Sequence, residues 1–205
     1  DYAWYGLGRD TGKVPPATDS YAAEETMAIF WRTAELELLD KGTFWLSETP
    51  DQVSKGWDAS YRRTCTWAGF RHKKSGQTCY CFNTHLDNDG KVAREESIKL
   101  LVSRMKTINS KRRVSFLTAD FNSNVTDACF APLHVYMRDA RANAAVSDDY
   151  PSWNGYGAST GRLDHVFFSG DNCTAREFRT LRGDYGVPYI SDHYPVAAWF
   201  RCSND

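Results

Sequence analysis

The stretch Thr78-Cys79-Tyr80-Cys81-Phe82-Asn83-Thr84-His85-Leu86-Asp87 is rich in β-branched and aromatic residues and ends in polar groups, as a strand running out of a core does. Asn88-Asp89-Gly90 then breaks the chain. Beyond it Ile98, Leu101, Val102, Met105 and Ile108 recur at offsets of three and four, while Arg94, Glu95, Glu96 and Lys99 are polar, which predicts an amphipathic helix. Val114 to Leu117 is again a strand of buried type, followed by Thr118-Ala119-Asp120-Phe121-Asn122. This strand, helix, strand succession decides for an α/β domain.

The pattern extends outward in both directions. Thr64 to Arg71 and Thr78 to His85 flank Lys73-Lys74-Ser75-Gly76, and together predict a hairpin with an exposed tip that includes His72. Upstream, Met27 to Trp31, Leu36 to Leu39 and Phe44 to Leu46 are short β-type runs separated by polar pairs and by Lys41-Gly42, which reads as a meander. Downstream, a short helix is expected near Ala128 to Arg138, with strands at Leu163 to Phe168, Arg176 to Leu181 and Val196 to Phe200. The glycine-rich segment from Trp153 to Gly161 reads as one long surface loop. No fixed-period repeat and no low-complexity linker divides the chain, so residues 1–205 are expected to form a single domain.

Composition narrows the function. Across 205 residues, 25 Lys and Arg oppose 26 Asp and Glu, so no global field draws in nucleic acid, and a polyanion would need a local site. Apolar runs such as Pro195 to Phe200 are far too short to span a bilayer. The 6 cysteines lack zinc-type spacing. Cys79 and Cys81 point to one face of a strand and are poorly placed to bridge each other. Cys173 and Cys202 could form a disulfide suited to an oxidising compartment, or be buried free thiols. The sequons at Asn124 and Asn172 are no more than composition gives by chance, so a secreted or periplasmic location is only slightly favoured over a cytoplasmic one.

Three motifs fail. In Gly6-Leu7-Gly8-Arg9-Asp10-Thr11-Gly12 the third glycine comes one position late for a dinucleotide fingerprint. Gly12-Lys13 is followed by Val14 where a phosphate-binding loop needs Ser or Thr. Ser191-Asp192-His193 holds the residue types of a serine-hydrolase triad, but neighbours on one extended segment cannot form a relay.

Four polar clusters carry the chemistry: Asn83 to Asp87, Thr118 to Asn122, Gly161 to Phe167 and Ser191 to Pro195, each at the end or start of a strand. A lone strand-end Asp is usually a turn residue, and a lone His is usually structural. In this order, the four resemble the motif set of the endonuclease/exonuclease/phosphatase superfamily over essentially the whole chain. Gly6 to Gly12, Glu25 with Ile29-Phe30, Gly42 to Pro50, Gly56-Trp57-Asp58-Ala59 and Arg63 to Trp67 are similar to a branch of mostly uncharacterised hydrolases within it.

The resemblance implies an α+β four-layer sandwich, two mostly antiparallel mixed sheets packed face to face and flanked by helices. It implies hydrolysis of a phosphate ester by an activated water. His193 is the candidate general base, because imidazole titrates near neutrality, and the resemblance pairs it with Asp164. His85, oriented by Glu25, would bond a phosphoryl oxygen or protonate the leaving group. Asp120 would position the nucleophile or share in proton transfer, leaving open which of Asp120 and His193 takes the proton. Asn122 would donate its amide to a phosphoryl oxygen, and Asp192 is the expected contact of a Mg²⁺ or Mn²⁺ ion.

Two departures stand out. Ala119 replaces a family glycine, a change tolerated unless that position needs positive φ. The family also begins with a strand ending in Asn, then a helix and a strand ending in Gln-Glu, and neither precedes Tyr2. The expectation is therefore a domain without its first strand-helix-strand unit and without the family's principal metal-binding carboxylate.

Arg63 and Arg9 are candidates for a phosphate clamp, although an Arg in a strand-flanking loop is ordinarily solvated. Trp57 and Trp153 could stack on a ligand, against a default of packing. His165 is read as packing. A glycan on Asn124 would crowd Asn122, so that sequon is expected to be unused. The reading is a metal-dependent phosphoesterase, expected to be monomeric, with diester or nuclease-like activity placed first. Nucleic acid, nucleotide, phospholipid and sugar phosphate all stay open as substrates. The alternative is a non-catalytic phosphate-binding module that has lost its metal ligand.

Overall fold

A computed structural model describes residues 1–15 and 24–203. The central element is a six-stranded sheet. Its strands are β3 (Leu36–Trp45), β4 (Thr64–His72), β5 (Thr78–His85), β6 (Val114–Asp120), β9 (Asp164–Ser169) and β7 (Arg138–Asp139), hydrogen-bonded in that order. All neighbours are antiparallel except β5 and β6. That parallel pair needs a crossover, and α1 (Lys91–Ile108) supplies it.

The two faces of this sheet bury different sets. On one, Phe82 of β5 and Leu117 of β6 meet Ile98, Leu101, Val102 and Met105 of α1, the apolar stripe expected from the sequence. Phe130, Leu133 and Met137 join them from the short turn Ala128–Phe130 and from α2 (Ala131–Tyr136). Each fully buried aromatic or aliphatic side chain contributes about 1.5–3 kcal/mol, so this cluster dominates the stability.

On the opposite face two smaller sheets form a second β layer. Val114, Val166 and Phe168 pack against Ala175 and Phe178 of β10 (Cys173–Thr180), which pairs with β11 (Val196–Cys202) and β8 (Val146–Ser147). Ala68 and Phe70 pack against Trp31 of β2 (Ile29–Arg32), which pairs with β1 (Tyr2–Tyr5). Mixed sheets layered face to face with few helices are the α+β sandwich implied by the resemblance. Cys173 and Cys202, opposed in the β10–β11 register, form a disulfide. The last helix, α3 (Ala140–Asn143), is one turn capped by Asp139.

The hairpin, α1 and the downstream strands lie where the sequence puts them. The upstream meander differs: two of its three expected runs are one continuous strand, β3, passing through Lys41-Gly42 with a register shift between Leu38 and Asp40. Gly42 is not a turn residue. A Cβ there would lie 2.7 Å from Nε1 of Trp67, so the glycine makes room for an indole packed across the strand.

Candidate active site

The register of three adjacent strands assembles the core of the site. His85, the last residue of β5, pairs with Asp120, the last of β6, and Asp120 pairs with Asp164, the first of β9. Paired residues share a face, so all three side chains project from one end of the sheet on the side of the second layer. His193 arrives from the loop before β11. Trp153 forms an isolated bridge with His193, and the backbone N–H groups of Asn154 and Tyr194 donate to Asp192 and Ser152 at 2.8 and 2.7 Å.

Two carboxylate–imidazole pairs flank Asp120. Nδ1 of His193 lies 2.7 Å from Asp164 Oδ2, and Nδ1 of His85 lies 2.8 Å from Glu25 Oε1. Between them Asp120 Oδ2 is 3.2 Å from His85 Nε2 and 3.8 Å from His193 Nε2. The hydrogen bond to Asp164 raises the pKa of His193 above the ordinary imidazole value, against its own burial. The hydrogen bond from His85 holds Glu25 below the usual carboxylate range. Burial pushes Asp120 up, opposed by the charge of His85 and the N–H of Asn122.

Asn122 has φ 48°, a left-handed conformation Asn tolerates, and its N–H donates to Asp120 Oδ1 at 2.8 Å. Its amide nitrogen is 3.0 Å from His85 Nε2 and donates to the Leu86 carbonyl at 2.9 Å. With Asn122 donating to Nε2, the proton of a neutral His85 sits on Nδ1 and points at Glu25. Ala119 is an ordinary strand residue of β6 packed in the main core, so nothing there requires glycine.

Arg63 is almost fully buried. It reaches Asp87 at 3.4 Å, Asn88 at 3.0 Å and Glu25 at 3.5 Å, and its buried Nη1 has no hydrogen-bond acceptor among the described residues. Glu25, Arg63, His85, Asp120, Asn122, Asp192 and His193 line one pocket of about 490 Å³, and Asp164 stands behind His193. All the expected site residues therefore converge. Arg9 and Trp153, weighed in the sequence against solvated and packing roles, also line it, whereas Trp57 does not. Tyr61, Asn88 and Leu163 line the pocket too, and their residue types carried no signal of it. His165 lies in the core among Phe121, Phe130 and Phe167, its pKa lowered by burial.

Among the described residues Asp120, Asp164 and His193 form a group whose donor atoms all lie within 4.8 Å of one another. Asp164 and His193 of this group are already bonded to each other, which leaves the carboxylate of Asp120 as its donor for a hard divalent cation. Asp192 lines the same pocket outside that group, with Oδ1 accepting from Ser191 at 3.2 Å. Among the described residues the Ser191 Oγ bonds Asp192 and the backbone of His193, not an imidazole.

No protein-family model matches the sequence, and no curated protein does. Solved structures do. A mannosyl-6-phosphatase of Bacteroides thetaiotaomicron is 32% identical, with 98% of this chain and 77% of that one covered at a TM-score of 0.84. An endonuclease/exonuclease/phosphatase family protein of the same species is also 32% identical, over 96% of this chain and 74% of its own, with a TM-score of 0.83. One from Bacteroides vulgatus is 29% identical over 98% and 77%, with a TM-score of 0.87.

Proposed function

This chain belongs to the endonuclease/exonuclease/phosphatase family, and from that premise we propose that it hydrolyses a phosphate ester with a divalent metal ion. The observation that carries the reading is the alignment of His85, Asp120 and Asp164 on neighbouring strands, with Glu25 and His193 completing two dyads around one pocket.

His193 takes the proton of the attacking water at Nε2, with Asp164 fixing its tautomer and stabilising the imidazolium. Asp120, beside both rings, orients the water. Asn122 donates its amide to one phosphoryl oxygen, His85 donates to another from Nε2 in the doubly protonated ring whose Nδ1–H is held by Glu25, and Arg63 adds positive charge from the pocket wall. His85 is also placed to help the departing oxygen. Asp192 and Asp120 would hold the metal, which when bound neutralises charge developing on the phosphoryl group.

A sugar phosphate is a better-supported substrate than the diester expected from the sequence: one relative, 32% identical, is named a mannosyl-6-phosphatase, and a pocket of about 490 Å³ suits a ligand of that size. The Cys173–Cys202 bridge supports an oxidising compartment, secreted or periplasmic. We take the protein to act as a monomer.

The test is release of inorganic phosphate from hexose 6-phosphates, set against cleavage of dinucleotide diesters to a nucleotide and a nucleoside, each with Mg²⁺ or Mn²⁺. The expected result is metal-dependent turnover, lost on chelation and in His193→Ala. Turnover of diesters with monoesters untouched would restore the diester ranking. Binding of phosphate without turnover of either class would replace the enzyme by a binding module.

A further inference from the structure

The loop Gly6–Gly12, which fails as a nucleotide fingerprint, is closed on itself by Gly8 N–H to Lys13 O at 2.8 Å and Gly12 N–H to Gly8 O at 2.9 Å. It is docked along the segment that carries Glu25. Gly8 bridges Thr26, and the N–H of Arg9 donates to the Glu25 carbonyl at 3.1 Å. A Cβ at Gly6 would lie 2.7 Å from Thr26 Cγ2 and 3.1 Å from Ala28 Cα, so the approach needs glycine. Glu24 ties the loop's far side, accepting from the N–H groups of Asp10 and Thr11 and from the Thr11 hydroxyl.

These contacts hold Arg9 on three sides. The Trp45 indole N–H donates to the Arg9 carbonyl at 2.8 Å, and the guanidinium lies 5.0 Å from the centroid of Tyr61. Nη1 donates to Glu25 Oε2 at 2.6 Å, while the other oxygen of Glu25 meets His85 Nδ1 at 2.8 Å. The side chain is 16% exposed, and its Nε is buried without a hydrogen-bond acceptor among the described residues, 3.6 Å from Asp10. One nitrogen of the guanidinium is thus already committed to a carboxylate.

We propose that Arg9 is a positioning residue: it grips one oxygen of Glu25 so that the other is presented to His85 Nδ1, which keeps His85 Nε2 turned toward the phosphoryl group. The glycine loop exists to deliver that grip. Glu25 otherwise has Arg63 at 3.5 Å, beyond the range of a good hydrogen bond. The inference rests on the proposed function for its kinetic consequence, but its structural content, the Arg9–Glu25–His85 chain, holds independently of substrate.

The experiment compares Arg9→Met with Arg9→Lys by steady-state kinetics and by proton NMR of the His85 ring. The hydrogen-bonded Nδ1–H of His85 is expected as a downfield resonance, assigned by its disappearance in His85→Gln. Arg9→Met should lower kcat about 10–100-fold with KM nearly unchanged and should lose the resonance. Arg9→Lys should restore most of both. If Arg9→Met does not fold, Arg9→Leu, which likewise has neither charge nor donor, carries the same readouts. A raised KM with unchanged kcat, the mark of a ground-state clamp, would overturn the proposal, as would a resonance that persists in the charge-free variant. Absence of turnover in the unmodified protein would instead overturn the phosphoesterase reading, and the resonance would still decide the role of Arg9.

Discussion

Asp164 and His193 stand 29 residues apart in the chain, yet Asp164 Oδ2 lies 2.7 Å from His193 Nδ1, one from the first residue of β9 and one from the loop before β11. His193→Ala should reduce kcat by about 10²–10⁴-fold. Asp164→Asn should give a smaller loss, because the imidazole remains but its tautomer is no longer fixed. Far-UV circular dichroism unchanged from the parent protein shows that the fold has survived. Full activity in His193→Ala would remove His193 from the mechanism.

Asp87 is the second carboxylate with a defined energetic role. Its side chain is 1% exposed; burial alone would raise its pKa, but the N–H groups of Gly90, Ser60, Tyr61 and Asp89 lower it to about 2. Its folded-state pKa is therefore below the unfolded one, so the stabilisation is complete above 3.8 and is lost as pH falls from there through about 2. A shift of that size corresponds to roughly 2 kcal/mol. Urea unfolding of Asp87→Asn should show about that loss at neutral pH and a flatter decline in acid. A parallel acid decline in both proteins would assign the effect elsewhere.

Much of this was legible in the sequence. The stripe Ile98, Leu101, Val102, Met105 and Ile108 gave α1, because helical periodicity is a local property. The four clusters marked the strand ends that the register brings together, since strand ends announce themselves by a switch from apolar to polar residues, whereas Glu25 and Arg63 were reached only through the family resemblance. Gly42 misled, because a glycine under an indole and a glycine in a turn look alike until Trp67 is placed opposite. The pairing of β1 with β2 and the two-residue strands β7 and β8 were illegible for the same reason: their partners are distant in sequence and their own patterns too short. Arg9 on Glu25, 16 residues away, depends on backbone docking that residue types do not encode.

The disulfide makes a separable prediction. Cys173 and Cys202, 29 residues apart, close a loop at the end of the sandwich away from the site, and a bridge of that span contributes roughly 3.5 kcal/mol. The Cys173→Ala/Cys202→Ala variant should unfold at a lower temperature while keeping its kcat at 25 °C. A loss of kcat in the folded variant would mean that the bridge also sets the position of the loop carrying His193.

Metal binding can be read without turnover. Mg²⁺ or Mn²⁺ should raise the unfolding temperature in a concentration-dependent way, with about 2.7 kcal/mol of stabilisation at an ion concentration 100 times Kd. Asp192→Asn and Asp120→Asn should each reduce that shift. An unchanged shift in both would place the ion elsewhere in the molecule.

The register that sets His85, Asp120 and Asp164 abreast also limits how this site can diversify. Neighbouring strands are held about 4.8 Å apart by their backbone ladder, a ruler no side-chain substitution can stretch. The spacing of the reacting groups is therefore inherited from the sheet. New substrates must be accommodated by the rim, where Tyr61 and Trp153 stand on loops.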